Sequence, residues 1–154
     1  MKILIIFGVV ALVISALLLV VNLLLKIGID TKCYINVLKT NTLFFPVDLP
    51  EDITKALLSK PLGLKEIRLL VRCRAPRNIE YYIMNLTEPL LIIGTMLLVG
   101  GYMRDFDSGL SFCLALLSSF WVPKIVSLLS LIVIWILEEI YWKPINRKYK
   151  KISE

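Results

Sequence analysis

Long uncharged apolar runs, broken by short polar stretches, set the rhythm of this chain. Residues 3–25, "ILIIFGVVALVISALLLVVNLLL", form a run of 23 without a charge, bracketed by Lys2 and Lys26. As a helix the run reaches about 34 Å, enough for a hydrocarbon core of about 30 Å. It is longer than the apolar region of a secretory signal, and no small-x-small cleavage site follows it directly. The pattern predicts an uncleaved membrane helix over residues 1–26.

Residues 27–83 read differently: polar, charged and punctuated by prolines. "CYINVL" (33–38) and "TLFFPV" (42–47) are rich in β-branched and aromatic residues and are separated by the polar "KTN", which predicts a hairpin. In "LPEDITKALLSK", Pro50 suits a first helical turn, and Glu51 and Asp52 suit its positive end, so a short helix is expected that stops before Pro61. "KEIRLLVRCR" alternates, with Ile67, Leu69, Val71 and Cys73 on one face and Arg68, Arg72 and Arg74 on the other. Leu70 is the exception. Period two predicts a half-buried strand. The expected insertion is a small β-β-α-β domain, too small to be stable without neighbours.

From about residue 84 the chain is apolar again. "LTEPLLIIGTMLLVGGYM" (86–103) predicts a second membrane helix within 84–103, and "RDFDSG" (104–109) a short turn. Residues 110–142 are ambiguous. Two uncharged runs of 13 residues, 110–122 and 125–137, flank Pro123 and Lys124. Each alone makes about 20 Å of helix, and together they make about 42 Å. A single crossing places Lys124 near mid-bilayer, at a cost of about 3 kcal/mol or more. Two crossings turn at Pro123-Lys124, with Trp121 in an aromatic belt and Lys124 at the surface.

Charge supplies a second criterion. The tail over residues 143–154 contains "KPINRKYKK" and favours the cytosol, as does the amino terminus with Lys2. Both ends inside require four crossings and put the polar domain on the opposite side. Against that, residues 26–83 hold ten basic residues, which favours three crossings with that segment inside. The expectation is an integral membrane, mainly α protein with about four transmembrane helices, three as the alternative, and the β-β-α-β insertion between the first two.

Composition agrees with a membrane protein: 58% of residues are hydrophobic and mean hydropathy is +0.80, above the usual soluble range. The net charge of +6 points to anionic headgroups rather than nucleic acid, because the bases avoid the apolar runs. There is no histidine, so the commonest metal ligand and general base is missing. Cys33, Cys73 and Cys113 are too dispersed for a metal site. Cys33 and Cys73, both in the polar segment, make a possible disulfide outside the cytosol.

Candidate chemistry is sparse. Arg68, Arg72, Arg74 and Arg77 form the densest basic cluster and, with Lys148, Lys150 and Lys151 of the tail, suit lipid headgroups or an acidic partner. Asp105 and Asp107 could grip a divalent cation, although capping of the following helix accounts for them better. Glu88, Glu138 and Glu139 fall near span ends, where solvation is the simpler role. Ser15 and Asn22 suit hydrogen bonds between helices. Gly94, Gly100 and Gly101 permit close approach without a G-x-x-x-G spacing. No catalytic residues, cofactor or metal are expected.

One long loop after the first of four helices resembles claudin-like tetraspan proteins in layout alone. No Trp precedes Trp121, and Cys33 and Cys73 lie far apart, so their loop signature is absent. Three spans with a basic tail are similar in layout to some phage holins. The leading expectation is a non-catalytic accessory or scaffolding subunit, with the bilayer and other membrane subunits or further copies of itself as partners. A pore-forming or membrane-permeabilising protein is the alternative, and a lipid-modifying enzyme using the two aspartates a third.

Overall fold

A computed structural model describes residues 2–103 and 108–153. The described residues form five helices: α1 Lys2–Thr40, α2 Glu51–Leu58, α3 Leu64–Arg72, α4 Asn78–Tyr102 and α5 Ser108–Ser153. Three of them, α1, α4 and α5, are long and apolar enough to cross a membrane. Those are the features of an integral membrane protein. Among the described residues there is no strand, and the expected β-β-α-β insertion is replaced by helices and one isolated bridge.

Each correction has a local cause. "CYINVL" continues α1 instead of starting a hairpin, because Ile27, Asp30, Tyr34 and Val37 repeat at helical spacing and are all buried. "KTN" is the helix stop: Asn41 adopts a left-handed φ of 52°, and its N–H donates to Val37 O at 2.8 Å. That is an αL cap, one of the few tasks Asn performs almost as well as Gly. "TLFFPV" is irregular. Its sole pairing is an antiparallel bridge between Val47 and Arg74, flanked by Asp48 N–H to Cys73 O at 2.7 Å and Ala75 N–H to Pro46 O at 2.9 Å.

"KEIRLLVRCR" forms α3 rather than a strand. Ile67, Leu70 and Val71 are buried while Leu69 is 48% exposed. Leu70, which breaks the alternation, therefore marks the true period. Helix α2 forms where expected, with Pro50 at its N-cap and Glu51 and Asp52 in the first turn.

Helix α5 runs unbroken through Pro123 and Lys124, so the turn expected there does not form. A helical hairpin needs a connection of about two to five residues and must satisfy the orphan carbonyls of one helix and the orphan N–H groups of the next. Residues 110–137 contain no Gly, Asn or Asp to build one. A proline inside the helix removes a single N–H donor, which membrane helices tolerate.

The chain divides into two compact units, Met1–Leu24 with Asn78–Val133, and Leu25–Arg77 with Ile134–Glu154. In the first, α1 and α4 approach closely. A Cβ on Gly8 would lie 2.9 Å from Leu98 N, and one on Gly94 would lie 2.9 Å from Leu12 Cγ. Ser15 is fully buried and donates to its own helix, at Leu12 O, 2.8 Å away. In the second unit, Tyr34, Val37, Ile67, Val71 and Trp142 form the core.

Candidate functional site

Two groups of side chains stand out, one in each unit. In the second unit, Arg68 and Arg72 of α3 and Arg74 just beyond its end lie against acidic residues of α1 and α5. Arg68 Nη1 donates to Glu139 Oε2 at 3.1 Å and Oε1 at 3.3 Å, and Arg72 Nε to Glu138 Oε2 at 2.9 Å. Arg74 Nε donates to Asp30 Oδ1 at 2.7 Å, with both side chains buried. Arg74 Nη1 also donates to the Ala75 carbonyl at 3.1 Å. Helical spacing explains the set: residues 68 and 72 are one turn apart on α3, facing the consecutive pair Glu138-Glu139.

The same unit is pinned by aromatic packing. Tyr34 and Trp142 stack with ring centroids 4.4 Å apart and planes 2° from parallel. Both are fully buried. Their polar tips are satisfied: Tyr34 OH donates to Asn146 Oδ1, and Trp142 Nε1 to Thr31 Oγ1 at 3.3 Å. A buried aromatic pair gains about 0.5–1.5 kcal/mol beyond its area term, and it stays cheap only while such tips find partners.

The sequence-derived candidates thus fall into different places. Arg68, Arg72 and Arg74 come together, with their charge directed at carboxylates of the same unit. Arg77, Lys148 and Lys150 are exposed. The side chain of Lys151, and both Asp105 and Asp107, lie outside the described residues. The Cys33 and Cys73 side chains are half-buried and that of Cys113 is exposed. Sequence reasoning missed Asp30, Glu138 and Glu139 as partners of the arginines. A signal existed for Asp30, an acid in helical phase with Tyr34 and Val37.

In the first unit, α1, α4 and α5 line a cleft of about 500 Å³ whose walls include Asn22, Thr87, Glu88, Ser119, Lys124 and Ser127. Lys124 is exposed, and its Nζ sits 3.8 Å from the Phe120 ring centroid and 6.0 Å from that of Trp121. Asn22 Oδ1 is a buried acceptor with no donor among the described residues. The arrangement can hold charge and accept hydrogen bonds inside an apolar tract. No protein family, curated protein or solved structure matches this chain.

Proposed function

We propose that this chain is a small non-catalytic membrane protein that serves as an accessory or scaffolding subunit of a larger membrane complex. One observation carries the reading. Helix α2 is amphipathic and buries none of its residues, leaving Ile53 and Leu58 exposed outside the apolar runs, while Phe44 just before it is 73% exposed. Large apolar side chains left exposed on and beside an amphipathic helix suit a protein contact better than a solvated face. The occupant is another polypeptide of the same complex.

A topology follows from the second unit. Its insertion and the end of α5 are joined by the Arg68–Glu139 and Arg72–Glu138 pairs, which supports placing both on one side of the membrane. Together they carry fifteen of the eighteen basic residues. The positive-inside rule then favours the cytosol for both and the outside for the amino terminus. The proposed topology differs from the expectation of two cytoplasmic termini.

The test is isolation of the protein from its own membrane in mild detergent. A stable particle containing a second polypeptide is expected, and Phe44→Glu with Leu58→Glu should release that polypeptide. A clean monomer would overturn the reading. A monomer that also made dye-loaded vesicles leak would replace it with the permeabilising one.

A further inference from the structure

We propose that two copies of this chain meet through the cleft of the first unit, with Lys124 of each copy paired to Glu88 of the other. The interface is independent of the apolar face on α2 and does not require the larger complex.

The starting point is the position of Lys124. It has at least 13 uncharged residues on either side along α5, about 20 Å of helix or more each way. A four-carbon stem is far shorter than either half, so the ammonium cannot easily reach a membrane surface. At mid-bilayer such a charge costs about 3 kcal/mol or more, and intramembrane charges almost always face protein or pair with one another. Lys124 faces a cleft of its own chain but has no carboxylate paired with it among the described residues. It is exposed, and its contact with the Phe120 ring supplies only about 0.5–2 kcal/mol.

Glu88 is its counterpart. It lines the same cleft, is exposed, and among the described residues has neither a cation nor a hydrogen-bond donor. The cleft therefore presents one ammonium and one carboxylate, each without a partner among the described residues, Lys124 near the middle of its α5 wall (119–131) and Glu88 near the middle of its α4 wall (84–92). An isologous dimer brings identical patches face to face, so residue i meets j and j meets i. Rotation about an axis along the membrane normal preserves depth and forms two Lys124–Glu88 pairs at once. Asn22 Oδ1, buried and without a donor, adds a third polar group on the same wall. Ser119 and Ser127 keep parts of the wall small, which permits close helix approach. Lipid phosphates sit at headgroup depth, so a lipid does not supply the missing anion at the centre of the bilayer.

The experiment uses differently tagged full-length copies, co-expressed and captured in mild detergent. Wild-type copies should co-purify. Lys124→Glu alone and Glu88→Lys alone should each lower recovery of the second tag about tenfold or more, as expected if each dimer loses at least about 1.4 kcal/mol. A Lys124→Glu copy mixed with a Glu88→Lys copy should restore it, since both pairs are then complementary between chains. Should the reversed chains fail to insert, a Lys124→Cys copy and a Glu88→Cys copy, lacking Cys33, Cys73 and Cys113, should cross-link to each other under oxidation. Monomeric wild type, unchanged recovery in the single variants, or absence of the trans cross-link overturns the dimer. Restoration only when both changes sit in one chain shows an intrachain pair and also overturns it. Loss of the second polypeptide alone bears on the subunit reading and leaves the dimer standing.

Discussion

At the scale of single residues, the second unit depends on side chains whose partners cannot be removed one at a time. Asp30 and Arg74 are buried together, with the guanidinium shared between the carboxylate and the Ala75 carbonyl. Burying two charges is costly, and such a pair returns the cost only while both members are present. Arg74→Ala leaves the Asp30 carboxylate without its cation and should destabilise the protein by about 3–5 kcal/mol. The measurement is a melting curve in detergent. Asp30→Leu combined with Arg74→Met should recover most of the loss, because an apolar pair of similar volume has no charge to strand. A single variant that melts with the wild type would show that the pair contributes nothing. The exposed Lys55–Glu51 pair is the contrast: at one turn's spacing on α2 it is worth about 0.3–0.5 kcal/mol.

At the scale of elements, periodicity and propensity pulled in different directions, and burial decided between them. In α3 the strand reading needs Leu69 inside and Leu70 outside, and the helix reading needs the reverse. Leu70 is 0% exposed and Leu69 is 48% exposed. Leu70→Ala should therefore cost about 2–5 kcal/mol and Leu69→Ala about 0.5 kcal/mol or less. Equal losses, or the opposite order, would restore the strand. The distal part of α1 teaches the same lesson. Ile35 and Val37 have high β propensity, yet a helix entering from the apolar run continues through them at the small cost of adding one residue at a time. Within α5, Pro123 alone does not end the helix, because no Gly, Asn or Asp over residues 110–137 is there to build a turn.

At the scale of the whole molecule, the number of crossings fixes which segments share a compartment. With three, the insertion and the tail lie together, and the amino terminus lies across the membrane from them. In a chain lacking its native cysteines, Lys2→Cys should react with an impermeant maleimide on intact cells. Ser59→Cys and Lys148→Cys should react only after permeabilisation. Reaction of Ser59→Cys and Lys148→Cys from opposite sides would reinstate four crossings. Exposure of α2 and the unpaired charges of the membrane unit also belong to this scale. Both are the surfaces on which the two proposals rest, the first outside the apolar runs and the second within them.

The sequence by itself determined that this is a membrane protein, where its apolar runs lie, and where α2 begins and ends. Those features are local: an uncharged run long enough to cross a bilayer, or a proline followed by acids at a helix start, needs no distant partner to be recognised. Only the tertiary structure decided that α3 is a helix, that Arg68 and Arg72 on it meet Glu139 and Glu138, and that Arg74 beyond it meets Asp30. It also decided that Glu88 shares a cleft with Lys124. Such pairings join residues tens of positions apart, and the physical term that selects them, the removal of charge and apolar surface from solvent, exists only once the helices are packed.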